Sequence, residues 1–168
     1  MTHLVVMGVA GCGKSQLARQ LADRLGCEMV EGDDYHLPAS QEKMRSGIPL
    51  EDADREPWLR ALGALMATKP GDVVLACSAL KRRYREWLRA ADPALRFVYI
   101  EIDVKTAAQR VGGRSEHLFP TSLVASQFAA LESPQGESGV LHVSGLQPTR
   151  DQVDAITRWL ATPPDISP

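Results

Sequence analysis

Three cysteines among 168 residues, Cys12, Cys27 and Cys77, are odd in number and too scattered for a disulfide framework or a Cys-pair metal site. Reduced thiols in a cytoplasmic setting are the expectation. Net charge is nearly absent: 19 Lys and Arg against 21 Asp and Glu leave −2. That removes bulk attraction to nucleic acid or to an anionic membrane, so neither is expected as a partner and any anion site must be local. No apolar run approaches the ~20 residues of a membrane span. No charged n-region, apolar stretch and cleavage site precede the first strand. Internal repeats and a second core are also missing. With 44% hydrophobic and 24% charged residues, the expectation is one ordinary globular domain over 1–162 and a disordered tail at 163–168.

What is present is Gly8-Val9-Ala10-Gly11-Cys12-Gly13-Lys14-Ser15, two glycines around four residues and then Lys-Ser. This is the pattern of a phosphate-binding P-loop. Leu4-Val5-Val6-Met7 before it reads as a strand buried on both faces. Leu17, Ala18, Leu21, Ala22 and Leu25 after it recur at helical spacing up to Gly26. Glycines let backbone N–H groups wrap phosphate oxygens, and the helix presents its positive end to the anion. In that frame Lys14 reaches the β- and γ-phosphates and the Ser15 hydroxyl sits on Mg²⁺. Cys12 lies beside a helix N-terminus, where a thiol pKa can fall, although a small filler is the commoner role there.

A second short strand, Glu28-Met29-Val30-Glu31, leads into Gly32-Asp33-Asp34-Tyr35-His36. Strand carboxyl ends are where open parallel sheets bind ligands. Asp33 there accepts a hydroxyl proton or holds Mg²⁺ through water, unless the segment is only an Asp-Gly turn. No second ligand group at a recognisable spacing makes Asp33 to His36 a metal cluster. From residue 36 the chain shows little strand character at first: a short helix over Gln41–Arg45, then a longer one to about Ala67 with Asp54 as its N-cap. Arg55 suits a substrate carboxylate, with an ion pair to Asp52 or Glu51 as the alternative. Asp72–Cys77 is the third strand, ending in Ser78-Ala79-Leu80-Lys81. The cation-rich helix that follows reads as a solvated face rather than a nucleic-acid surface. Arg96–Ile102 is the fourth strand and Val104–Val111 a helix. Arg110 and Arg114 then straddle two glycines in a lid at about 112–121, unless they are simply exposed. A helix over Thr121–Glu132, a strand at Val140–Val143 and a helix over Thr149–Leu160 complete the chain. Alternating strands and helices imply a doubly wound parallel α/β sheet.

Several segments together resemble the bacterial-type gluconokinase family, small P-loop kinases akin to shikimate kinase and the nucleoside monophosphate kinases. They are Gly8 to Ser15, Gly32-Asp33 with His36, and Lys43-Met44 through Gly47, Pro49-Leu50, Asp52 and Asp54-Arg55 to Pro57-Trp58-Leu59. Cys77 to Lys81 with Tyr84-Arg85 follows, then Arg110, Arg114 and His117 running into Ser126-Gln127-Phe128 and Leu131-Glu132. The resemblance implies a three-layer P-loop NTPase fold, α/β, with a five-stranded parallel sheet in the order 2-3-1-4-5, helices on both faces and a small lid. It implies transfer of the ATP γ-phosphoryl group to the 6-hydroxyl of D-gluconate with Mg²⁺, in a cytoplasmic homodimer. Carried over by position, Lys14, Asp33 and Arg114 are catalytic, and Arg110 and Arg114 close on the nucleotide phosphates held by residues 8–15. Asp33, His36, Arg55, Ser78, Lys81, His117 and Gln127 meet the acid, with residues 36–68 as the substrate-binding segment, and Ser15 and Asp33 serve the metal. The chain departs from the family pattern at Leu37 and Ser40, where Pro and Asn are usual. It departs again at Ser115-Glu116, where Lys-Gly is common. Alternatives on the same fold are a kinase for a shikimate-like hydroxy acid or for a nucleotide; a slow ATP-hydrolysing switch is a third, from another class.

Overall fold

The computed structural model describes residues 1–112 and 123–163. The expectations for Arg114, Ser115, Glu116 and His117, for the lid beyond Gly112 and for the tail at 164–168 lie outside the described residues.

Strand β1 (His3–Met7) sits at the centre of the sheet and is buried along its whole length. β2 (Glu28–Glu31), β3 (Val73–Ala76), β4 (Arg96–Glu101) and β5 (Val140–Ser144) complete a five-stranded sheet in the order β2-β3-β1-β4-β5. Every pairing is parallel, as the continuous apolar runs require. Side chains alternate across the sheet. Leu4 and Val6 pack with Leu17 and Leu21 of α1 (Lys14–Leu25) and with Val153 and Ile156 of α7 (Thr149–Leu160). Val5 and Met7 point the other way, onto Trp58 and Leu62 of α3 (Asp52–Thr68) and Leu88 of α4 (Arg82–Arg89). Two apolar clusters on opposite faces of one sheet make the three layers. Between β3 and β4 the chain crosses from one side of β1 to the other, and the carboxyl ends of β1, β2 and β3 open onto the same edge.

Three local readings need correction. Helix α3 begins at Asp52 with Glu51 as its N-cap, so Asp54 is not the cap but the third helical residue. Its Oδ2 accepts from the Glu51 N–H at 2.9 Å, which places a carboxylate on the positive end of the helix. Helix α2 runs Pro38–Arg45, three residues longer than the pattern suggests, because Pro38 fits the first helical turn. Helix α4 is not simply a solvated face. Arg85 is fully buried and donates to the carbonyls of Ala79 at 2.8 Å and Leu80 at 3.1 Å and to the Glu137 carboxylate at 2.6 Å.

Candidate active site

The loop between β1 and α1 is shaped by its glycines. Gly13 caps α1 at φ 97°, and Gly11 holds φ 82° where a Cβ would come within 2.7 Å of the Ala107 carbonyl. The first-turn amides of a helix have no internal acceptor, so the loop presents donors to its mouth. Three contacts from elsewhere in the fold brace it. Ser78 O accepts from Gly8 N at 3.2 Å, and Gln127 Oε1 on α6 (Val124–Ala130) accepts from Ala10 N at 2.7 Å. Arg110, at the end of α5 (Val104–Gly112), donates to Gly11 O at 3.3 Å and to Gly145 O at 2.9 Å. Arg110 is thus fixed to backbone carbonyls beside the loop. Lys14 Nζ folds back onto Val9 O at 3.2 Å.

Opposite the loop, β2 ends in a 3₁₀ turn, Gly32–Tyr35, that carries Asp33. Gly11, Gly13, Lys14, Ser15, Asp33, His36, Arg55, Ser78 and Gln127 line one cleft. His36 is buried, stacked on Trp58 with ring centroids 3.8 Å apart, and its Nε2 lies 3.4 Å from Asp33 Oδ1. Trp58 is itself pinned through Nε1 to Gly32 O at 2.9 Å. The aromatic pair therefore backs the carboxylate. Ser78 precedes Ala79, a non-glycine residue at φ 46°, and the two Arg85 hydrogen bonds just described hold that strained turn.

Arg55 is 8% exposed, and its guanidinium carbon lies 5.4 Å from the Tyr84 ring centroid. The alternative of a pair with Asp52 or Glu51 does not hold, and no carboxylate among the described residues is within ion-pair range of it. Asp52 is already taken: Tyr84 OH donates to it at 2.5 Å, Lys81 Nζ at 2.9 Å and Arg83 at 3.0 Å. The Tyr84 hydrogen bond, followed by Lys81, brings the Asp52 carboxyl down to about 2, while burial and then Asp52 push the Tyr84 phenol up. Lys81 accordingly sits in a recess that shares Met44, Arg55 and Gln127 with the cleft, and its charge is compensated there.

Glu31, at the last position of β2, belongs to none of the motifs read from the sequence. Its Oε2 accepts from Ser15 Oγ at 2.5 Å. Burial raises its pKa most and the Asp33 charge raises it further, against the lowering pull of Ser15 and Lys14. An acid two residues before Asp33 at a strand end is the one signal that points to it. Cys12 departs from the lowered pKa that its place beside a helix end allows. Burial outweighs Lys14 and pushes its thiol up, and burial likewise pushes Cys77 up to about 12. Both side chains are buried and pack as small apolar groups.

The AAA domain family model matches residues 4–134. Among curated relatives, the gluconokinase of Gluconobacter oxydans (strain 621H) is 48% identical over 84% of this chain and 82% of its own. The thermoresistant gluconokinase of Escherichia coli (strain K12) is 40% identical over 86% and 85%. Among solved structures, a gluconokinase from Sinorhizobium meliloti 1021 superposes with a TM-score of 0.87 at 41% identity, covering 95% of this chain and 91% of that one.

Proposed function

The chain belongs to the gluconokinase family, and we propose that its cleft transfers the γ-phosphoryl group of ATP to the 6-hydroxyl of D-gluconate, giving 6-phospho-D-gluconate and ADP. The observation that carries this reading is one cleft lined by the P-loop with Lys14, by Asp33 and by Arg55, whose guanidinium has no ion-pair partner among the described residues. An anion-binding loop, a proton acceptor and a carboxylate receptor are the three parts that phosphorylation of a hydroxy acid needs.

In this mechanism the loop amides and Lys14 take the triphosphate tail. Arg110, fixed beside the loop, adds positive charge near its outer side. Arg55 binds the sugar carboxylate and so sets which end of the acceptor meets the loop. Asp33 accepts a hydrogen bond from the 6-hydroxyl and takes its proton. The oxygen bonds to the γ-phosphorus as the bond to the β,γ-bridging oxygen breaks and ADP leaves. Most of the acceleration comes from alignment and preset charge, since phosphoryl transfer needs little covalent help. His36, too buried for more than edge contact, holds Asp33 in place.

Mg²⁺ fits the donor set. Ser15, Glu31 and Asp33 offer only oxygen atoms, and the Glu31 pKa, raised first by burial and then by the Asp33 charge, is one that a hard cation would bring down. Ser15, with Glu31 and Asp33 through water, would hold the ion, which would supply positive charge to neutralise the phosphates. Glu31 orients the Ser15 hydroxyl for it. Glu31→Gln keeps an oxygen acceptor for Ser15 but removes the charge, so kcat is expected to fall about tenfold, roughly 1.4 kcal/mol, with a higher Mg²⁺ requirement. A Mg²⁺ titration of initial rates that matches the parent enzyme removes Glu31 from this role.

The single kinase domain over 1–162, the segment 36–68 as acceptor lobe, the cytoplasmic setting and the homodimer belong to the same reading. Its test is ADP release with a panel of acceptors: D-gluconate, other sugar acids, shikimate and nucleoside monophosphates. Gluconate is expected to exceed the rest in kcat/KM by at least about 100-fold, the discrimination a site with a dedicated charged partner achieves. Equal turnover of shikimate or a nucleotide overturns the assignment.

A further inference from the structure

A groove of about 400 Å³ adjoins the cleft at the phosphate loop and shares Gly13 and Gln16 with it. One bank is the loop at Cys12 and Gly13, and the other is the turn at residues 145–148 that leads from β5 into α7. Arg110 bridges the two banks, donating to Gly11 O and to Gly145 O, so their separation is set by the fold. A triphosphate tail on the loop amides leaves its nucleoside to lie along this groove, a placement that rests on the function proposed above.

Of the amide side chains lining the groove among the described residues, Gln152 of α7 alone is buried, at 4% exposed. Its Nε2 donates to Ser144 O at 2.7 Å. A carbonyl only accepts, so the nitrogen end of the amide is locked onto β5; turned over, the side chain would set two oxygens against each other. Oε1 is left on the other side. No donor among the described residues meets it, and the atom is open to the groove. Gln16, Gln109 and Gln147 line the same space, but they are exposed and can present either end of the amide to a ligand. The Ser144 tie therefore does more than fasten α7 to β5: it gives one buried group of the groove a fixed acceptor character.

We propose that Gln152 reads the nucleobase, its Oε1 accepting a hydrogen bond from the exocyclic 6-amino group of adenine. The 6-position of a purine lies across the ring system from the glycosidic bond. With the phosphates at Gly13 it is the edge that extends toward α7. Guanine carries a carbonyl oxygen at that position and would bring acceptor against acceptor. A purine with only hydrogen there leaves the buried Oε1 unpaired. A fixed, buried polar group discriminates against both, because neither returns the hydrogen bond that the group gives up on leaving water. An amide free to turn would offer its N–H to guanine and select nothing.

The test measures nucleotide binding by calorimetry with no acceptor present, using the β,γ-imido triphosphates of adenosine, guanosine and purine riboside with Mg²⁺. The unaltered chain is expected to hold the adenosine compound at least about tenfold more tightly than the purine riboside compound, the loss that follows when a buried acceptor goes unpaired, and the guanosine compound no more tightly than the purine riboside one. In Gln152→Met the adenosine compound is expected to fall to within about twofold of the purine riboside compound, whose own affinity stays within about threefold of its value in the unaltered chain. A purely structural role for Gln152 would weaken the two purines together and keep their ratio. Parity of the two in the unaltered chain, or a tenfold gap kept by Gln152→Met, overturns the proposal, and the first comparison decides even if the variant does not fold. Absence of binding by all three compounds overturns the triphosphate reading and this one with it. An adenosine preference without ADP release on gluconate overturns the acceptor assignment alone and leaves the role of Gln152 supported.

Discussion

Replacing Asp33 by asparagine is expected to lower kcat by about 100-fold or more, within the 10²–10⁴ range of a positioned general base, and to leave KM for ATP within about twofold. The two side chains are nearly isosteric, so the amide still fills the turn at the end of β2 and still faces Lys14 across the cleft. What is lost is the negative charge that draws the hydroxyl hydrogen and accepts it. The loop amides proposed to hold the triphosphate belong to a different strand and helix and are untouched. His36→Asn provides the companion measurement. It removes the ring behind the carboxylate, so kcat falls less than in Asp33→Asn while KM for gluconate changes little. Steady-state rates in gluconate and ATP separately decide the matter. A kcat within threefold of the parent in Asp33→Asn excludes Asp33 from the chemistry.

The parts of this fold that are legible in the chain are those whose cause is local. The P-loop shows in sequence because its glycines, lysine and serine act within eight residues, and β1 shows because burial on both faces leaves no polar position in Leu4-Val5-Val6-Met7. Strand order comes through the resemblance rather than through periodicity, which is silent about neighbours. The α3 cap and the start of α2 are missed locally, but the misreadings that touch the site have distant partners or burial behind them. Helix α4 reads as solvated because Arg85 finds two of its acceptors, including its one carboxylate, 47 and 52 residues onward, at Glu132 and Glu137. Glu31 carries no signature of its own because Ser15, its partner, lies 16 residues upstream on another element. Cys12 sits where a helix end lowers a thiol pKa, yet complete desolvation prevails, and no one-dimensional pattern reports depth. Arg55 is the same lesson reversed. Its sequence neighbour Asp52 offers a partner, and Lys81, 29 residues beyond Asp52, takes it.

That competition fixes the second large expectation. Arg55→Ala is expected to raise KM for gluconate about 100-fold, the ~3 kcal/mol of a charge-assisted hydrogen bond to a largely desolvated partner, with kcat within a few-fold of the parent. Arg55 has no carboxylate of its own among the described residues, so removing it strands no buried anion within the protein and the fold is expected to survive. The packing it leaves beside Tyr84 is a surface between α3 and α4, not a core strand. Two controls separate recognition from structure. A neutral polyol acceptor with the same chain, already weak in the parent, is expected to lose nothing further in the variant, because the missing group met only the carboxylate. Arg55→Lys is expected to recover less than half of the lost binding free energy, since an ammonium cannot present the planar fork that a carboxylate matches. If KM for acid and polyol rise together, Arg55 is holding Tyr84 and the helix pair in place, and the carboxylate must be met by another cation of the cleft.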